Sequence, residues 1–440
     1  HFTYPRLLRF VLPCIGTMLF TSIYGIVDGL CVSNFVGKTA FAAVNLIMPL
    51  PMLLGTIGFM LGTGGSAIVG ITLGEGDQKK ADRYFTLFLL AALISVSVLA
   101  VLGIVFLRPI AVLLGAKGEL LDYAVRYGRI LMVSLPTFAL QNMFQSFFVT
   151  AEKPHLGFWF TVGAGCTNMV LDVLMVGIWG WGVEGAAIAT FISQLVGGVL
   201  PVFYFIDRSN SSRLHLCKTS FYSKVLRDAC INGSSELMTN LSMSLVNILY
   251  NYQLLRLAGE NGVAAYGVIM YAAFLFVAVF VGYAVGSAPI VSFHYGARNH
   301  AEVHNLYRKS LRLIAVVAVT LTLASMFIIP CVARIFVGYD AELLALTSRA
   351  FRLYALSFLI MGFNVYASSF FTALGDGVTS ALISFLRTLL FQLAALLLLP
   401  ALWGIDGVWL AVTVAELAAL AVSVYMFVTK DQKFLSLIHI

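Results

Sequence analysis

Apolar runs recur along the chain, each near the roughly 20 residues that a helix needs to cross a bilayer, with short polar turns between them. They begin near Leu7, Val44, Tyr84, Tyr123, Leu156, Gly185, Ala229, Gly262, Leu311, Leu346, Val378 and Gly407. The pattern predicts an all-α integral membrane protein with twelve spans. Polarity rises for longer only between Asp207 and Asp228, where Ser209, Asn210, Ser211, Ser212 and five basic residues follow one another. That stretch is expected to be a cytoplasmic linker (207–228) between an N-lobe (1–206, helices 1 to 6) and a C-lobe (229–440, helices 7 to 12).

The two halves repeat one pattern at an offset of 222 positions. Phe148-Val149-Thr150-Ala151 returns as Phe370-Phe371-Thr372-Ala373, and Trp181-Gly182-Val183-Glu184-Gly185 as Trp403-Gly404-Ile405-Asp406-Gly407. Asn142 with Asn364, Ser146 with Ser368 and Gly74 with Gly296 keep the same spacing. Six is an even number, so both copies enter the membrane the same way up. Two six-helix lobes related by a pseudo-twofold axis along the membrane normal are expected, the parallel kind of repeat found in secondary transporters.

With 60% apolar and 11% charged residues, the 440-residue chain lacks the polar surface to coat a water-soluble globule. Of its 27 Lys and Arg, 17 fall on the side that holds the linker, which places both termini in the cytoplasm by the positive-inside bias. The formal charge of +7 reflects that asymmetry. Nucleic-acid binding is a poor reading, because the basic residues are split among loops with no aromatic platform beside them. Six cysteines without a CxxC pair point to free, buried thiols. No cleavable signal is expected, since the first apolar segment is too long for one and continues into a hairpin.

A few charges fall within the spans: Asp28 in helix 1, Asp172 in helix 5, Glu236 early in helix 7, Arg387 in helix 11 and Glu416 in helix 12. A mid-helix carboxyl costs about 2.5 to 3.5 kcal/mol on insertion scales, so each is a functional candidate facing an internal cavity. Asn168 and Asp172, four positions apart, share one helical face and can serve one ligand. The second copy has Leu390 and Ala394 there, and Tyr250 in place of Asp28. This asymmetry favours chemistry over scaffold. Arg387 and Glu416, at similar depth on adjacent helices, are expected to form a structural ion pair. Glu236 is either a snorkelling carboxylate or a cavity residue.

Other motifs carry less. Gly74-Glu75-Gly76-Asp77 matches a GxGD protease pattern but runs into the solvated Gln78-Lys79-Lys80, so no enzyme is expected. Gly62-Thr63-Gly64-Gly65-Ser66 lacks the Lys of a phosphate loop and reads as close helix packing. His294, His300 and His304 sit among loop charges without further ligands for a metal.

Asp28, Asn168, Asp172 and the doubled Phe-x-Thr-Ala and Trp-Gly-x-acidic-Gly motifs together resemble the multidrug and toxic compound extrusion (MATE) family of bacterial type, over essentially the whole chain. The resemblance implies a twelve-helix antiporter with two lobes around a central cleft, exporting amphiphilic organic cations or drugs in exchange for H+ or Na+. It implies that Asp28, Asn168, Asp172 and Thr190 form the coupling-cation site and that Pro13 marks a bend of helix 1. Tyr24, one turn from Asp28, is expected in the substrate cavity with Asn142, Gln145 and Glu236, Gln145 standing where relatives often carry Asn. The resemblance further implies a monomer in the bacterial cytoplasmic (inner) membrane, with no cofactor beyond the coupling ion, which this donor set leaves open between H+ and Na+. The alternative is a lipid-linked saccharide flippase, which needs basic residues in its cavity, where Arg387 alone is available.

Overall fold

The computed structural model of the chain describes residues 2–113 and 116–434. Among them every regular element is helical. The first copy holds α1 (Tyr4–Phe35), α2 (Lys38–Ile47), α3 (Pro49–Gly74), α4 (Gln78–Leu113), α5 (Glu119–Thr150), α6 (Pro154–Asp172), α7 (Gly182–Gln194) and α8 (Leu200–Ile206). The second holds α9 (Ser223–Asn232), α10 (Ser234–Ala258), α11 (Glu260–Gly296), α12 (His300–Val337), α13 (Ala341–Ala355), α14 (Phe358–Ala373), α15 (Gly377–Phe385), α16 (Phe391–Trp403) and α17 (Ile405–Phe434). Short π-helical turns at Val173–Ile178, Leu195–Val199 and Leu386–Leu390 continue α6, α7 and α15.

Among the described residues nine stretches are long and apolar enough to cross a membrane, or ten when α13 and α14, bent by 45°, count as one. The remaining two expected spans are α5 and α10. Both are long enough, but Gln141, Asn142 and Gln145 in α5 and the Ser and Asn residues of α10 dilute their apolarity. Such helices turn polar faces inward, because lipid offers those groups no partner. The twelve passages fall into two six-helix lobes.

Boundaries differ from the expectation in two places. The second span begins at Lys38 rather than Val44 and breaks at Met48, where Pro49 opens α3 as a first-turn proline. The seventh begins at Ser223, so the last residues of the expected linker are already helical. The rest of the linker is stitched to α4: the His215 and Cys217 amides donate to Asp82 Oδ1 and Thr86 Oγ1 at 3.1 Å, and the Thr219 hydroxyl to the Arg83 carbonyl at 2.9 Å. The C-terminal end, 435–440, expected in the cytoplasm, lies outside the described residues.

The doubled Trp-Gly motif explains itself at the end of the lobes away from the linker. Gly182 and Gly404 both adopt positive φ (68° and 65°), which favours glycine, and Trp181 and Trp403 are half exposed beside them. Tryptophans at that level suit the boundary between lipid and water.

The lobes meet at the linker end. A Cβ on Gly233 (between α9 and α10) would lie 1.9 Å from the Met60 carbonyl oxygen of α3; one on Gly64 would lie 2.1 Å from that of Ala229. Gly74 and Gly296 make the same kind of backbone approach between α3 and α11, and Gly282 of α11 approaches Ile15 Cα of α1. Small residues permit such contact between membrane helices. Toward the opposite end of the same helices, Gly25 of α1 and Gly267 of α11 have nothing within 4 Å of a built Cβ. The lobes are therefore sealed at the linker end and parted at the other.

Helix α1 reaches from the first lobe into the second, as α9 packs back on the first. Phe2, Leu7 and Val11, leading into and along α1, are buried in a cluster with Phe280, Tyr283 and Ile290 of α11 and Val303 and Leu306 of α12. Glu302 Oε1 accepts the Phe2 amide at 2.7 Å, so the start of α1 is gripped by the second lobe while its later turns pack on α6.

Candidate functional site

The later turns of α1, together with α6 and α7, enclose the acidic pair. Asp28 and Asp172 are both buried, and each carboxyl feels the charge of the other. Ionised carboxylates only accept, so the two are mutually satisfied only with a proton or a small cation between them. Asp28 Oδ1, both Asp172 oxygens and Asn168 Oδ1 are buried without a hydrogen-bond partner. The Thr190 hydroxyl donates to the Ala186 carbonyl at 3.1 Å, leaving its oxygen free to accept or to ligate. Asn168 and Asp172 share a face of α6, which passes into its π-helical turn directly after Asp172. Such turns widen the helix and are frequent at functional sites.

Asp28, Asn168 and Thr190 line a cavity of about 140 Å³ together with Tyr24. Met48, Met52, Leu131 and Phe138 form its apolar wall. The thioethers of Met48 and Met52 adapt to ligands of different shape. A smaller hollow of about 20 Å³ lies nearer the linker end, lined by Thr17, Met18, Gln145 and Phe148.

The expected cavity residues thus divide. Tyr24 lines the larger hollow and Gln145 the smaller. Asn142 and Glu236 line neither. Asn142 donates to the Gly55 carbonyl of α3 at 3.5 Å, because Gly58 and Gly62 let α3 lie directly on α5. Glu236 stands in the first turn of α10, a helix that packs on α3 across the lobes. Pro13 lies within α1, which continues as a helix through it, and the Thr17 hydroxyl donates to the Pro13 carbonyl at 2.9 Å.

Sequence reasoning missed Gln141 and Gln194. Gln141 lines both hollows, and Gln194 Oε1 is buried without a partner in the larger one. The i,i+4 steps from Gln141 to Gln145 and from Thr190 to Gln194 were the available signal.

In the second lobe Arg387 Nε lies 2.9 Å from Glu416 Oε1 and 3.0 Å from Oε2. Asn364 Nδ2 donates to Glu416 Oε2 at 2.7 Å, and the Ser423 hydroxyl to Asn364 Oδ1 at 3.2 Å. Among the described residues no group of three or more His, Cys, Asp and Glu could hold a metal ion, and His294 at the end of α11 with His300 and His304 of α12 form none.

Comparison with known proteins agrees with this architecture. The family model described as MatE matches residues 13–174 and 237–396. Multidrug export protein MepA of Staphylococcus saprophyticus subsp. saprophyticus is 21% identical over 432 residues, 97% of this chain and 94% of the relative. Its namesake in Staphylococcus aureus strain MSSA476 is 22% identical, covering 98% and 94%. Among solved structures, a MATE in complex with MaL6 superposes with a TM-score of 0.92 at 22% identity, over 97% of this chain and 96% of that one. An outward-facing multidrug resistance MATE family transporter of the MOP superfamily gives 0.91 at 23% identity, covering 97% and 96%.

Proposed function

We propose, from the premise that this chain belongs to the MatE family and is a membrane transporter rather than an enzyme, that it exports multiple small organic cations by antiport against H+ or Na+. The observation that carries the reading is the facing pair of Asp28 and Asp172. Asp28, Asn168 and Thr190 line one adaptable apolar cavity, and Asp172 is buried on the same face of α6 as Asn168. Hard cations take such oxygen ligands, and a cationic amphiphile would be held by the same charges and by aromatic faces.

The cycle follows from competition for those charges. With the linker end in the cytoplasm, the parted end of the lobes faces outward. Coupling ions entering there neutralise Asp28 and Asp172, which weakens their hold on the organic cation and releases it outward. The ion-loaded site then favours the opposite tilt of the lobes, because a ligand shifts an equilibrium only through its different affinity for the two states. Loss of the ion to the cytoplasm restores the charges for the next substrate. A flippase would need a free cation for a pyrophosphate, and the guanidinium of Arg387 is engaged by Glu416. Uptake of an organic cation into vesicles under an imposed pH gradient, then under a Na+ gradient, tests the proposal. One gradient alone should drive transport, and failure of both would remove it.

A further inference from the structure

The duplication allows the two lobes to be compared position by position, and the comparison isolates Arg387. Asp28 of the first copy corresponds to Tyr250, Asn142 to Asn364, and Gln194 to Glu416. The second lobe therefore places a carboxylate, an amide and phenols around its own pseudo-equivalent centre. Glu416 is 1% exposed, Tyr250 and Tyr354 lie within electrostatic reach of it, and the Tyr250 hydroxyl is buried without a hydrogen-bond partner.

Volume is exchanged between the copies at the same point. Where the second copy carries Arg387, the first has Gly165, and a Cβ there would meet Phe20 at 2.3 Å and Tyr24 at 2.7 Å. The positions of Phe20 and Tyr24 are Ser242 and Val246 in the second copy. Two rings over a glycine thus become two small residues over an arginine. The guanidinium enters on the π-helical turn Leu386–Leu390 and approaches both Glu416 oxygens edge-on through Nε.

We propose that Arg387 is a built-in cation: it occupies a second cation site in the C-lobe, formed by Glu416, Asn364 and the facing tyrosines, which would otherwise take a small cation from solution. The first lobe exchanges its cation during transport, and the second holds one covalently. This inference concerns the C-lobe alone and stands whichever ion the first lobe uses. A group buried at this depth needs a positive partner, since an uncompensated charge in the interior is strongly destabilising.

The test is 22Na+ binding to the purified, detergent-solubilised full chain at pH 8, comparing the parent with Arg387→Met and the double variant Arg387→Met/Glu416→Gln. Arg387→Met should bind one more Na+ per chain than the parent, and the double variant should lose it. Guanidinium chloride at millimolar concentration, too dilute to denature, should raise the melting temperature of Arg387→Met and leave the double variant unchanged. Should Arg387→Met fail to fold, Arg387→Gln keeps a hydrogen-bond donor for Glu416 and carries the same comparison. Folded variants that bind no additional Na+ and gain nothing from guanidinium would overturn the proposal, as would gains that survive removal of Glu416.

Discussion

Asp28 and Asp172 come from helices far apart in sequence, yet each is the end of a local argument, because a carboxyl inside an apolar helix has to face something other than lipid. Their pairing sets the first prediction. Asp28→Asn and Asp172→Asn should each remove one charged ligand, worth at least about 1.4 kcal/mol and so about tenfold in apparent ion affinity. The ion concentration for half-maximal efflux of an organic cation from vesicles should rise about tenfold while the melting temperature stays near that of the parent. Gln141 belongs to the same scale but was not legible, since an amide in α5 carries no charge to signal its place. It lines both hollows of the first lobe and packs against Gly197 of the π-helical turn after α7. Gln141→Ala should join the two hollows and let an imposed ion gradient dissipate without substrate, measured as decay of that gradient in vesicles.

Among the helices, the linker-end seam rests on backbone contact that only glycine permits. Gly233→Ala sets a methyl against the Met60 carbonyl, and Gly25→Ala sets one in open space. Spin labels across the linker end should therefore move apart in Gly233→Ala and keep the parent distance in Gly25→Ala. The spans themselves were largely readable from apolar runs, but their ends were not. Met48 breaks the second span and Ser223 starts the seventh because of Pro49 and of docking on α3, and neither alters hydropathy averaged over a window. The polar dilution of α5 and α10 has the same origin: their partners are other helices.

For the whole molecule the decisive element is α1, held by the second lobe at its start and carrying Asp28 in its later turns. A tilt of one lobe against the other must therefore pass through this helix, near Pro13 and the contact of Ile15 with Gly282. In a background that keeps Cys14 and lacks the other cysteines, Gly286→Cys places a Cβ 3.3 Å from Cys14 Cβ, and the disulfide between them should lock the linker end shut. Transport should stop on oxidation and return with reductant, while 22Na+ binding to the first lobe, if Na+ is the coupling ion, persists in both conditions.

What the sequence determined by itself was periodic or local: twelve apolar passages, a doubled unit, an acidic pair confined to one copy, and an i,i+4 face on α6. Hydropathy and helical spacing act within a few turns, so a single chain displays them without folding. Only the tertiary structure decided that α1 straddles the lobes, that Asn142 turns to Gly55 while Gln141 takes the place between two hollows, and that the lobes close at the linker end. Those outcomes depend on which helix faces which, a choice made by packing volume and by partners for buried polar groups hundreds of residues apart.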